Sequence, residues 1–131
     1  MRLTYTRLHA RTYARFGRLY LDNGVAPDGQ RVLPEGWVDW SRRSTLGSTY
    51  GAGFWTNDGS DDFTKWRISK GFPKDGYFAS GFLGQRIYIV PSAKLVIVSF
   101  GYSRPPDFGM EDDLALIAAA IRATPGKTNS L

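Results

Sequence analysis

The sequence predicts an α+β fold, an antiparallel sheet with flanking helices. Three observations carry this. Residues 85–90 and 95–100 are β-branched and aromatic runs separated by Pro91-Ser92-Ala93-Lys94, the pattern of an antiparallel hairpin with a hydrophobic interior. Helical periodicity marks residues 8–22 and 111–123, near the two ends. The 131 residues are 42% hydrophobic, 15% aromatic and 22% charged, enough for one packed core and too apolar for wholesale disorder.

In residues 8–22, Tyr13, Phe16, Gly17 and Tyr20 share one face of a 3.6-residue period, while Arg7, Arg11, Arg15 and Arg18 share another. Asn23-Gly24 supplies a left-handed stop. The Arg stripe reads as a solvated helix face; nucleic-acid contact and a transit-peptide-like start are the sharper alternatives. Pro27-Asp28-Gly29 is a turn. A short helix is expected after Leu33, with Pro34 at its first position, Glu35 in its first turn, and Trp37 and Val38 within it. Residues 41–48 read as a polar loop. Residues 50–56 read as a strand whose glycines permit close backbone approach. Residues 57–62 and 71–75 read as loops.

Residues 77–81 form a short strand entering a glycine-flanked turn. Residues 95–100 are apolar at most positions, which predicts a central strand buried on both faces. Arg104-Pro105-Pro106 breaks the pattern. The final helix carries Glu111, Asp112 and Asp113 at its positive end and Arg122 near the other. Its apolar face, Leu114, Ile117, Ala118 and Ile121, is expected to pack on one face of the sheet. Residues 125–131 read as a loose tail. Residues 1–131 are read as a single partial domain.

Composition removes several chemistries. There is no Cys and one His, His9, which excludes thiol nucleophiles and thiolate zinc sites and leaves no multi-His metal site or His-based triad. Asp58, Asp61 and Asp62 lack calcium-loop spacing and read as a solvated loop. Gly101-Tyr102-Ser103-Arg104-Pro105 fails the G-x-S-x-G elbow at its last position. No metal or organic cofactor is implied. Net charge is +5, with Arg2, Arg7, Arg11, Arg15 and Arg18 unaccompanied by acids in the opening stretch. Nothing beyond them extends a basic patch, so no nucleic-acid partner is expected. No apolar run approaches the roughly 20 residues of a membrane span, and no signal peptide is visible, so no membrane partner is expected. The lack of Cys leaves cytoplasm and periplasm both open, and oligomeric state is not specified. Trp55, Trp66 and Tyr88 read as core.

One region rises above this background. Ala79-Ser80-Gly81, then Gly84-Gln85-Arg86-Ile87-Tyr88-Ile89-Val90-Pro91, then Leu95-Val96-Ile97-Val98, resembles the third motif and following hairpin of penicillin-recognising, β-lactamase-related serine hydrolases. That superfamily includes class C β-lactamases, DD-peptidases, related esterases and aminohexanoate-oligomer hydrolases. Three further pieces come in the family's order. Ala14-Arg15-Phe16-Gly17-Arg18-Leu19-Tyr20-Leu21-Asp22-Asn23-Gly24 is similar to the helix after the second motif. Gly29-Gln30-Arg31-Val32-Leu33-Pro34-Glu35-Gly36-Trp37-Val38 is similar to the next segment, and Tyr50-Gly51-Ala52-Gly53-Phe54-Trp55 to the aromatic strand before the third motif. Residues 1–10 are unmatched. The aminohexanoate branch fits best, because its third motif tolerates loss of the basic residue.

The resemblance implies the C-terminal portion of a β-lactamase/transpeptidase-like fold and hydrolysis of a small-molecule amide or ester through an acyl-enzyme. It implies that Ser80 holds the third motif's hydroxyl position, that Gly81 lets substrate approach the strand, and that the Phe82 backbone N–H is one oxyanion donor. Ala79 stands where the family has Lys or His, which argues against β-lactam recognition. No Ser is followed three residues later by Lys, and no Tyr-x-Asn or Ser-x-Asn occurs. The expectation is therefore a hydrolase fragment without its nucleophile, inert alone, with an open sheet edge and an uncovered apolar face. A non-catalytic binding module or truncated remnant that keeps only the cleft strand is the alternative.

Overall fold

The computed structural model describes residues 9–124; the tail expected at 125–131, most of the unmatched opening segment, Arg2 and Arg7 lie outside them. The elements are α1 (Ala10–Leu21), α2 (Trp37–Ser41), β1 (Trp55–Thr56), α3 (Asp62–Ser69), β2 (Tyr77–Ser80), β3 (Arg86–Val90), β4 (Leu95–Ser99) and α4 (Met110–Ala123). The four strands form one antiparallel sheet in the order β1-β2-β3-β4. This is the α+β architecture with flanking helices that the hairpin and the terminal helices predict.

The pleat sends alternate side chains to opposite faces. Tyr77 and Ala79 of β2 pair across to Ile89 and Ile87 of β3, which pair in turn with Val96 and Val98 of β4. This face packs against α1 through Tyr13, Tyr20 and Leu21, with Phe54 completing the cluster. Tyr20 and Phe54 rings lie 4.7 Å apart, and Phe54 meets Tyr77 edge-on at 5.2 Å. The opposite face carries Phe78, Tyr88 and Val90, covered by Phe72 and by Leu114 and Ile117 of α4. Each face is covered at its centre, while Trp55, which stacks on Phe78, and Phe63 of α3 remain exposed. Among the described residues β4 pairs on one side only, which leaves an open edge.

α1 lies close to the sheet because Gly17 is on its buried face. A Cβ at Gly17 would stand 2.5 Å from Val96 Cγ1 and 3.2 Å from Ile87 Cγ2. The helix ends where Asn23 and Gly24 take φ of 56° and 82°, and the Gly24 N–H reaches Leu19 O at 2.8 Å.

Four expectations need correction. The strand buried on both faces is β3, every residue of which is buried, and not β4, which is half-buried throughout. The pair is similarly apolar, but only β3 has a strand on each side. The strand expected over 50–56 shrinks to Trp55–Thr56, because Gly53 turns left-handed at φ 88° and folds Tyr50 back onto Trp55 as an isolated bridge. The short helix begins at Trp37, not after Leu33, since Gly36 at φ 80° cannot lie inside a right-handed helix. Helix α3 was not anticipated. Its N-cap, Asp61, belongs to the segment read as solvated, and its carboxylate accepts from Thr64 N at 3.0 Å and Thr64 Oγ1 at 2.6 Å.

Replacing Gly17 by Leu should test the α1–sheet seam. The added branch must displace Val96, and overpacking of this kind costs about 1–3 kcal/mol. Chemical denaturation should show a loss toward the upper end of that range; an unchanged midpoint would mean that α1 does not pack as described.

Candidate functional site

Strand β2 runs out of the core. Tyr77 and Phe78 are buried, Ala79 is half-buried, and Ser80 at the strand's end is exposed. Ser80 shares the α4 side of the sheet with Phe78, and its cross-strand partner is Arg86. The chain leaves β2 through Gly81, whose backbone is extended (φ −116°, ψ −169°), into a 3₁₀ turn over Phe82–Gly84. The Gly81 N–H donates to Gln85 O at 2.7 Å and so closes the turn.

The two glycines of this turn differ. Gly84 has φ 89°, and a Cβ there would collide with Phe108 O; the fold itself requires glycine. Gly81 lies in a region any residue adopts, and a Cβ would meet nothing nearer than Gln85 O at 3.6 Å. The fold does not require glycine at Gly81. The Phe82 ring is exposed, and its backbone N–H makes no hydrogen bond among the described residues.

Beside Ser80 lies a groove of about 630 Å³ with mostly apolar walls, formed by Trp55, Phe63, Trp66, Phe78, Pro106 and Met110. Trp55 and Trp66, read from the sequence as core, are groove walls; Tyr88, read the same way, is fully buried. Phe82 is not a groove wall, so the groove meets the predicted trio through Ser80. Asp61 and Asp107 stand at the rim. Hydrogen bonds from the Thr64 hydroxyl and N–H hold the Asp61 carboxyl below its ordinary value, and the Glu111 N–H does the same first for Asp107. Both are helix-capping carboxylates and stay ionised at neutral pH.

Two arginines support the groove, and neither was singled out as a functional residue from the sequence. Arg67 is buried and donates from Nε to Asn57 Oδ1 at 2.9 Å and from Nη2 to Thr56 O at 3.1 Å and Thr64 Oγ1 at 3.0 Å. Its guanidinium sits 5.4 Å from the Phe78 ring centre. Burial lowers its pKa from the ordinary arginine value. Arg86, opposite Ser80, turns its guanidinium inward. Nη1 donates to Phe108 O at 2.9 Å and to Asp113 Oδ2 at 3.2 Å, and Nη2 to Asp107 O at 3.1 Å. The available cue was a charge inside an apolar strand run, which demands a buried partner.

Chemically, the arrangement can bind and orient. It offers an exposed hydroxyl, an unpaired N–H, a strand end open to close approach and an aromatic wall. It does not activate a nucleophile, because the Ser80 hydroxyl makes no hydrogen bond to a base among the described residues. No group of three His, Asp or Glu able to hold a metal occurs among the described residues, and no described helix is long and apolar enough to cross a membrane.

The chain is 33% identical over 103 residues to a 6-aminohexanoate-dimer hydrolase from Paenarthrobacter ureafaciens. The match covers 75% of this chain and 25% of that enzyme, so the chain spans about a quarter of its relative's length. No family model matches the chain. The likeness supports a β-lactamase-related hydrolase at the level of family, and the sheet with its helices is compatible with the C-terminal portion of such a fold.

Two measurements probe this region. Gly84→Ala should lower stability by about 2 kcal/mol or more, from left-handed strain plus the collision with Phe108, whereas Gly81→Ala should stay within about 0.5 kcal/mol of the parent. Equal losses would show that Gly81 is as structural as Gly84. For Asp61 and Asp107, the folded pKa lies below the unfolded one. Their stabilising contribution is therefore full above about pH 4 and fades as pH falls through the folded values. Amide protection factors at the first turns of α3 and α4, taken relative to intrinsic exchange at each pH, should fall below pH 4; unchanged protection factors down to pH 2 would contradict the capping roles.

Proposed function

We propose that residues 1–131 form a partial domain of a β-lactamase-related serine hydrolase that cleaves small linear amides, with Ser80, Gly81 and the Phe82 N–H as one wall of its cleft. The observation that carries this reading is the pair at the end of β2: a glycine that the fold does not require, followed by an N–H with no partner among the described residues. Something outside the chain is the natural reason for both. A substrate backbone laid along the strand end needs the missing Cβ at Gly81, and a carbonyl oxygen needs the N–H. The partial likeness to the 6-aminohexanoate-dimer hydrolase points to an amide with aliphatic arms, which suits walls of Trp55, Trp66 and Met110.

In this reading the nucleophile is a serine of an S-x-x-K motif, which these residues do not contain. Its oxygen attacks the amide carbonyl as its proton passes to the base. The tetrahedral oxyanion is stabilised by the Phe82 N–H and a second donor, and loss of one such donor costs about 2.7–4 kcal/mol. Collapse breaks the C–N bond and the amine leaves with the proton. Water then cleaves the acyl ester and restores the serine. Ser80 donates to or accepts from the substrate without entering the covalent steps.

Ala79 fits an amide without an obligatory carboxylate beside the scissile bond. It packs into the apolar cluster with Tyr77 and Ile87 on the α1 side. A Lys or His there would place a charge against that cluster, so the third-motif cation used for β-lactam carboxylates has no place here.

The test uses the purified chain. A serine-reactive phosphonate should label nothing, and 6-aminohexanoate dimer at millimolar concentration should shift the backbone amide resonances of Ser80, Gly81 and Phe82 before others. Gly81→Val should abolish those shifts while leaving the spectrum dispersed, since an extended backbone accepts a branched residue. Stoichiometric labelling of one serine, or dimer-induced shifts that survive Gly81→Val, would overturn the reading.

A further inference from the structure

The sheet ends at β4, and no strand among the described residues pairs with its outer side. All five residues of β4 are half-buried, whereas every residue of β3 is buried. The strand itself carries none of the usual devices that blunt an edge: no proline, no glycine and no charge stands between Leu95 and Ser99. Its outward N–H and C=O groups are therefore open to one more strand.

Charge decides which kind of strand. On α1, Phe16 and Tyr20 lean toward Phe54, which meets Tyr77 of β2. Arg15, Arg18 and Leu21 instead share a groove of about 830 Å³ with Lys94, Leu95 and Val96, on the flank where the sheet ends. One acid, Asp22, also borders this groove, and it is engaged by Arg18 at 2.6 Å. Asp75 reaches the turn before β4 but accepts from Ser92 N at 2.6 Å and Ser92 Oγ at 2.9 Å. Arg15 and Lys94 form no ion pair among the described residues. The start of the edge thus presents two uncommitted cations, and its groove holds no uncommitted acid. A second copy offers these cations no carboxylate from its own edge, because neither α1 nor β4 contains Asp or Glu.

We propose that the β4 edge is a docking site for an extended acidic peptide segment, which pairs antiparallel to β4 with its carboxylates at its C-terminal end, beside Lys94 and Arg15. Antiparallel pairing continues the order of the sheet and is slightly more stable per residue than parallel pairing. Main-chain hydrogen bonds supply the affinity, and the two cations fix direction and register. Strand β3 separates this edge from β2, so the site is distinct from the Ser80 groove and does not rest on the hydrolase reading.

The probe is a capped peptide of five alternating threonine and valine residues followed by two glutamates, titrated into the full chain at low salt. The amides of Leu95–Ser99 should shift saturably and ahead of those at Ser80. Replacing the glutamates by lysines should raise Kd about tenfold or more, since like charges then meet. Arg15→Gln and Lys94→Gln should each raise Kd about threefold, the size of an exposed ion pair, with the spectrum otherwise unchanged. N-methylation of alternate peptide amides should abolish binding in one phase and be tolerated in the other, because only one edge of the peptide faces β4. The proposal fails if the peptide gives no saturable shift, if the lysine peptide binds as well, if neither N-methylated phase loses binding, or if the Ser80 amides respond first. It also fails if the β4 amides shift with chain concentration alone and ignore the peptide, which would mark pairing between copies. Tighter binding of an oligothymidylate to the same amides would likewise overturn it and mark a phosphate-backbone patch.

Discussion

Strand β3 is buried along its whole length, and one of its five residues is an arginine. The remainder of the structure is arranged around that fact. A buried guanidinium without partners is prohibitively costly, so Arg86 draws three groups to itself. They are the Phe108 and Asp107 carbonyls and the Asp113 carboxylate, which also accepts from the Tyr88 hydroxyl at 2.9 Å. Burial and the Asp113 charge raise the Tyr88 pKa, in that order, and keep that hydroxyl a donor. Through these bonds β3 grips the N-terminal end of α4 and the loop before it. That loop supplies Pro106 and Asp107 to the groove beside Ser80, and Phe108 to the tight contact with Gly84. The charge therefore acts as a fastener for the site and not as a ligand group. Its Nε, buried without a partner, is the residual cost.

How much of this was legible in the sequence follows from where local pattern and tertiary context agree. The β3–β4 hairpin was readable because branched residues and Pro91 signal strand and turn independently. Which strand is central was not, because neighbours on both sides are a property of the sheet and the pair is similarly apolar. Helix α3 escaped because Asp62–Ser69 has no one-sided apolar stripe. Its only local signal is Asp61 three residues before Thr64, and three aspartates together read more simply as a loop. Residues 50–56 carry strand-like aromatics, but Gly53 converts them into a turn, and sequence alone does not reveal which glycine goes left-handed. The trio Ser80, Gly81 and Phe82 was visible only as a motif. The groove walls come from α3, α4 and β1, far apart in sequence.

The strand period has a functional consequence. Within β2, Tyr77 and Ala79 face α1, and Phe78 and Ser80 face α4. Four residues thus serve two packed clusters and one groove, with no side chain shared between the faces. Changes at Ser80 leave the α1 cluster untouched, and changes at Tyr77 leave the groove walls in place. The backbone of β2 is the single shared element. It is held on both sides, by β3 over its full length and by β1 over two residues, which makes its free end, Ser80 onward, the part able to meet another molecule.

The open edge of β4 sets the last constraint. Five residues of unpaired strand are a template for pairing between copies. Positive charge gathers at one end of this edge: Lys94 stands in the turn just before the strand at φ 50°, and Arg15 and Arg18 of α1 line the same groove as Lys94 and Leu95. Arg18 is paired to Asp22 at 2.6 Å, but Arg15 and Lys94 form no ion pair among the described residues. Whereas an antiparallel meeting of two copies along β4 sets these cations at opposite ends, a parallel, in-register meeting would set them side by side. At 4 Å such a contact costs about 1 kcal/mol in bulk water and about 4 kcal/mol near a protein surface. The arginines of α1 beside this edge thus disfavour parallel pairing along β4 and leave the antiparallel register open.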